Sequence, residues 1–136
     1  RIPVIYATPP FAESAAKIIK IKINENAKMP AFSYAVPEFN HNEMVGYTQL
    51  TGRFTAVMLR DPDASARMNR RLDTSKATLQ DNGVPVLEVP LISGSNLEKA
   101  FAVLYLFDHV SCYLAEAAGI DPNPVAMVED FKRRLG

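Results

Sequence analysis

The chain has 136 residues, 48% of them apolar, with 15 Lys and Arg balanced by 15 Asp and Glu. That length suits one domain with a real core. Zero formal net charge removes the electrostatic argument for nucleic acid or an anionic membrane surface, while leaving room for a local basic patch.

In chain order, residues 4–7 read as a short buried strand, broken by Thr8-Pro9-Pro10. Residues 11–23 are ambiguous. Ile19-Lys20-Ile21-Lys22-Ile23 alternates like a strand, but Phe11, Ala15, Ile18, Ile19 and Ile23 fall at helical spacings. A strand straight after the Pro-Pro turn would need an antiparallel partner, so a helix is the expectation. Residues 31–39 form the second strand candidate. Asn40-His41-Asn42-Glu43 reads as a helix start, with Asn40 as N-cap and Glu43 three residues on, as in a capping box. The short helix, residues 42–50, is expected to end near Thr51-Gly52.

Residues 54–59 form a third strand. Residues 63–80 form a polar helix carrying Arg67, Arg70, Arg71 and Lys76, stopped by Asp81-Asn82-Gly83. Residues 84–91 form a fourth strand. Ser95-Asn96 caps a long apolar helix over 97–118, Gly119 ends it, and Asp121-Pro122 opens a last helix to 135. Strands alternating with helices predict an α/β fold, a three-layer sandwich around a parallel sheet of four to five strands. Ligands in such sheets bind beyond the carboxyl ends of the strands. Arg1 leads directly into a core strand, which reads as a piece of a longer protein. No apolar run is long enough to span a bilayer and no secretory signal is visible, so the expected location is cytoplasmic.

Two segments cluster titratable groups between apolar elements: Asn24-Glu25-Asn26-Ala27-Lys28 and Asn40-His41-Asn42-Glu43. A carboxylate and an imidazole converging on a crevice could perform general acid–base chemistry. The same residues could equally be an ordinary helix end and a surface histidine. Elsewhere the structural readings are favoured. His109, beside Asp108, reads as a packed core histidine, and Arg67-Arg70-Arg71 as a solvated helix face. Tyr105, Phe107 and Tyr113 read as core or interface residues, Glu43 as a cap, and Glu38 as orienting the imidazole or ending the strand. Thr8 and Ser14 read as turn and cap residues. Two histidines and one cysteine give no metal-ligand spacing. Cys112 cannot form an internal disulfide and reads as a buried free thiol in a reducing compartment.

Ile23-Asn24-Glu25-Asn26-Ala27-Lys28, Pro30-Ala31-Phe32, and the run from Pro37 through Asn40-His41-Asn42-Glu43 to Tyr47 resemble the hallmark stretch of the bifunctional phosphoglucose/phosphomannose isomerases. These belong to the sugar-isomerase (SIS) superfamily. The opening Arg-Ile-Pro-Val-Ile-Tyr, Tyr113-Leu114-Ala115 and Gly119-Ile120-Asp121-Pro122 agree, so the resemblance spans the whole chain, residues 1–136. It matches the C-terminal half of a subunit with two SIS domains.

The resemblance implies reversible isomerisation of glucose 6-phosphate or mannose 6-phosphate with fructose 6-phosphate, through a cis-enediol, in carbohydrate metabolism. Glu25 would be the catalytic base, in a partly dry crevice that raises its pKa. His41 would open the sugar ring, kept neutral by a helix N-terminus. Lys132, the only lysine on the last helix, would assist. Asn24, Asn26 and Lys28 would contact substrate. No metal or organic cofactor is implied. The phosphate-binding loops would lie on the N-terminal SIS domain. The enzyme would be a homodimer whose ring-opening histidine reaches across the interface, so Glu25 and His41 need not meet in one chain. The sequence departs from the family pattern in the aliphatic, basic run from Lys17 to Lys22. Two other readings stand beside this one: a non-catalytic SIS module that binds a phosphosugar or mediates dimerisation, and an SIS isomerase for another phosphorylated sugar.

Overall fold

A computed structural model describes residues 1–50 and 52–136. Its four strands are β1 (Ile2–Ala7), β2 (Phe32–Ala35), β3 (Phe54–Arg60) and β4 (Val86–Pro90). They form one parallel sheet in the order β2-β1-β3-β4. Four α-helices accompany it: α1 (Ala15–Asn26), α2 (Ala66–Asp81), α3 (Asn96–Ala117) and α4 (Ala126–Leu135).

The period-2 alternation of the central strands divides the core. Ile5 and Ala7 of β1 and Val57 and Leu59 of β3 face α1 and α3, packing on Ile19, Ile23, Val103 and Phe107. Val4, Tyr6, Ala56 and Met58 face the other way, onto Leu72 and Leu79 of α2 and onto Phe39 and Tyr47. This is the expected three-layer sandwich, and the ambiguous segment after Pro10 is helical. Ile19 and Ile23 supply the reason: each is essentially inaccessible, and burying such a side chain is worth about 1.5–3 kcal/mol.

Several expectations are corrected. The second strand stops at Ala35, because Val36 leads into Pro37, which has no N–H to continue a ladder. The helix expected over 42–50 is instead two 3-10 stretches, Glu38–Asn40 and Glu43–Thr48. Tyr47 is drawn down to the sheet there, and Gly46 and β-branched Val45 and Thr48 give an α-helix little support. Asn42, not Asn40, caps the second stretch, accepting from the Glu43 N–H at 2.6 Å. The expected helix end at Thr51 lies outside the described residues. Gly83 stops α2 with φ at +77°, a conformation that favours glycine.

On α3 the buried stripe is Lys99, Val103, Phe107, Ser111 and Ala115, a run at four-residue spacing. His109 and Cys112 fall off that stripe and are exposed, not buried. The His109 ring lies edge-on to Tyr105 at 4.8 Å, on the outer face. Leu97, Phe101, Tyr105 and Tyr113 are each about two-thirds exposed. Helix α4 buries no residue at all, and Met127, Phe131 and Leu135 line its open apolar side.

Candidate functional site

The first segment ends α1. Because α1 returns antiparallel to the strands, its C-terminus lies at the amino edge of the sheet. The turn is tied on three sides. Asn24 Nδ2 donates to the Met29 carbonyl at 2.9 Å. Asn26 Nδ2 donates to Ser111 Oγ on α3 at 2.9 Å. Lys28 takes a left-handed backbone conformation, φ +54°, at a cost of about 1–2 kcal/mol for a residue with a Cβ. Its ammonium offsets that cost by donating to the carbonyls of Glu25 and Pro122. Between these anchors Glu25 is exposed. Its carboxylate has no hydrogen bond or ion pair among the described residues, and none of them supplies the dry crevice expected around it.

The second segment leaves the carboxyl end of β2. Its anchor is Tyr6 of β1, fully buried, whose hydroxyl donates to Glu43 Oε1 at 2.9 Å and shares a hydrogen bond with the Tyr47 hydroxyl at 2.8 Å. Burial pushes the Glu43 carboxyl up to about 7, against the opposing pull of the Tyr6 hydrogen bond. Burial likewise raises Tyr6 and Tyr47. Glu43 Oε2 is buried without a partner, a costly state for an ionised oxygen and a tolerable one for an acid. Glu43 is therefore a half-buried anchor rather than the expected cap. Asn40 Nδ2 donates to Ser75 Oγ on α2 at 2.7 Å, and Asn42 Nδ2 to Glu38 Oε1 at 3.4 Å. Glu38 thus braces Asn42, not His41.

His41 sits between the two 3-10 stretches. Its N–H donates to the Glu38 carbonyl at 3.0 Å, and its exposed ring has no bond among the described residues. Stretches this short lack the macrodipole expected to hold it neutral.

Glu25 and His41 therefore occupy opposite edges of the sheet. β2 alone rises about 10 Å between its first and last residues. Lys132 lies on exposed α4, paired with Glu129 at 2.9 Å. Among the described residues no group of three His, Cys, Asp or Glu side chains could hold a metal ion.

Two anchors escaped the sequence reading, though both left a signal. A tyrosine within an apolar strand needs a partner for its hydroxyl, and Tyr6 finds Glu43. A lysine on the buried stripe of a helix needs carboxylates. Lys99, 2% exposed, finds Asp61 at 2.7 Å and Asp63 in the loop leaving β3. The Asp61 bond, then the Asp63 bond, raises its pKa.

Comparison with known proteins sharpens this picture. Residues 1–135 match the family described as bacterial phospho-glucose isomerase C-terminal SIS domain. The chain is 37% identical over 136 residues to a bifunctional phosphoglucose/phosphomannose isomerase of Aquifex aeolicus, spanning 98% of this chain and 42% of that protein. It is 35% identical to the protein of the same name from Caldicellulosiruptor bescii, of which it spans 41%. Its fold is similar to that of a glucose-6-phosphate isomerase like protein from Thermus thermophilus, with a TM-score of 0.75 at 21% identity over 98% of this chain and 43% of that one. The chain belongs to the bacterial phospho-glucose isomerase C-terminal SIS domain family.

Proposed function

We propose that this chain is the C-terminal half of an isomerase that interconverts glucose 6-phosphate or mannose 6-phosphate with fructose 6-phosphate. The observation that carries the reading is shared by both segments: the flanking residues are tied into the fold while Glu25 and His41 project unbonded. Glu25 takes the proton from C2 of the open-chain aldose while O1 gains one, giving a cis-enediol, and returns it to C1 as the O2 hydroxyl gives up its proton. His41 transfers the proton at the ring oxygen that opens the sugar. Both must reach neighbouring atoms of one hexose, yet one chain holds them at opposite sheet edges. The site thus takes Glu25 from one copy and His41 from a second, in a homodimer. Asn24, Asn26 and Lys28 hold the Glu25 turn and line the substrate beside it. Lys132 supplies positive charge near the sugar. An N-terminal SIS domain binds the phosphate. The open apolar sides of α3 and α4 support contact with that domain or with a second copy. The setting is the cytoplasm, in hexose phosphate metabolism.

A non-catalytic phosphosugar-binding module is the second reading, favoured by the exposure of Glu25 in this chain. A coupled assay with fructose 6-phosphate on the full-length protein separates the two. Activity lost in Glu25→Gln with sugar binding retained supports the isomerase. Binding without activity or deuterium uptake at C1 of fructose 6-phosphate in the wild type supports the module.

A further inference from the structure

A cavity of about 490 Å³ lies apart from Glu25 and His41. It is a groove between α2 and the second motif segment, and Arg67, Arg70, Arg71, Thr74, Thr78 and Asn40 line it. The α2 residues fall on one helix face. No acidic residue lines the groove. Arg60, Arg133 and Arg134 each meet a carboxylate within 4.0 Å. Among the described residues, none of the three groove arginines does. Guanidinium groups stay charged at any working pH, so the groove concentrates three positive charges in a chain whose net charge is zero. The first turn of α2 carries no acidic residue to compensate it. That turn also lies at the carboxyl edge of the sheet, where parallel α/β folds bind ligands. One arm is already set: Arg71 Nη1 donates to Asn40 Oδ1 at 3.3 Å, and Ser75 holds Asn40 in turn. A fixed donor loses less entropy when a ligand arrives.

We propose that this groove binds a small molecule carrying two phosphoryl groups, of the pyrophosphate or sugar-bisphosphate class. Guanidinium forks match phosphoryl oxygens bidentately, and threonine hydroxyls add neutral donors. Charge decides the number of groups. One phosphoryl group carries about −1.5 to −2 near neutrality and leaves three arginines undercompensated, whereas two balance them. The proposal stands apart from the isomerase reading, since neither Glu25 nor His41 takes part.

Calorimetric titration of the full chain with pyrophosphate, inorganic phosphate and fructose 6-phosphate tests it. Pyrophosphate is expected to bind roughly tenfold or more tighter than either monophosphate, more weakly as salt rises. Arg67→Gln with Arg70→Gln is expected to lose roughly tenfold or more of that affinity with an unchanged melting temperature, and each single change to lose part of it. Arg133→Gln, on exposed α4, is expected to leave it unchanged. Pyrophosphate binding no tighter than phosphate, or unaffected by the groove changes, would overturn the proposal. So would a double variant that dissociates a dimer while wild type ignores pyrophosphate, because the arginines would then meet carboxylates of a second copy.

Discussion

The Glu25 turn and the His41 segment solve one problem with different chemistry. Each must hold a titratable side chain in the open, one in the last turn of α1 and one between two 3-10 stretches. The Glu25 turn does it with the amides of Asn24 and Asn26 and the ammonium of Lys28, bonded to backbone carbonyls and to Ser111. The amides never ionise. The His41 segment hangs from a half-buried carboxyl, Glu43, which accepts from the Tyr6 hydroxyl, itself bonded to that of Tyr47. That anchor titrates close to neutrality. The asparagine anchors of the first segment thus do not titrate, whereas the carboxyl anchor of the second does.

The sharpest way to break the comparison is to remove the two projecting groups. Glu25→Gln in the full-length protein is expected to lower the isomerisation rate by roughly 10²–10⁴-fold. The melting temperature should hold, because the carboxylate bonds to none of the described residues. His41→Asn should likewise leave the fold intact and slow the turnover of closed-ring substrate. If the residues act from different copies, mixing the two inactive variants restores activity. Each mixed dimer has one site with both groups intact, and random exchange returns roughly a quarter of the wild-type rate. No restoration would place both groups in one copy and undo the opposite-edge argument.

Most of this fold is legible in the sequence because its signals are local and repeated. Strand and helix alternation, the Ser95 cap with Glu98, and Gly83 after α2 each follow from a few neighbouring residues. The misreadings share a cause. Sequence neighbours alone misplace Asn40, Glu43, His109 and Cys112, whose roles depend on what the sheet places opposite them. Asn40 meets Ser75 across 35 positions and Glu43 meets Tyr6 across 37. Those encounters turn a helix cap into an anchor. His109 and Cys112 miss the buried stripe of α3 by a fraction of a turn, which an apolar helix with few polar residues does not reveal. The candidate site is legible only through its motifs. That its two halves face opposite ends of the sheet comes from the chain path alone.

A smaller effect separates the anchors directly. Tyr6→Phe keeps the ring against Phe39, whose centroid is 4.5 Å away, and removes only the hydroxyl. Glu43 and Tyr47 then lose their shared partner in the core, at a cost of about 1–3 kcal/mol. Denaturant unfolding measures this. A cost near zero would mean that the second segment is held by apolar packing alone.

The next test concerns pH. Glu43 ionises near 4.5 in the unfolded chain and at about 7 in the folded one. Between those values the folded state holds the extra proton. Its stabilising contribution is complete below pH 4.5 and is lost as pH rises through 7. For a partly exposed group the loss is about 1–2 kcal/mol. Unfolding curves at about pH 5 and pH 8 should show it, and Glu43→Gln should flatten it. A wild-type chain equally stable at both values would contradict the carboxyl anchor.

Asn26→Ala carries the smallest expected effect and tests the other half of the comparison. The amide donates to Ser111 Oγ, and that hydroxyl still donates to the Asp108 carbonyl at 2.9 Å after the change. One neutral hydrogen bond is lost without stranding a buried donor, so the cost is about 0.5–1.5 kcal/mol. For a chain of this size that corresponds to a fall in melting temperature of about 2–8 °C. The fall should be the same at about pH 5 and pH 8, because neither partner ionises. In the full-length protein the variant should slow isomerisation more than its stability loss accounts for, since the turn that aims Glu25 is loosened. A pH-dependent cost would show that the Glu25 turn also rests on a titrating group, and the contrast between the two edges would disappear.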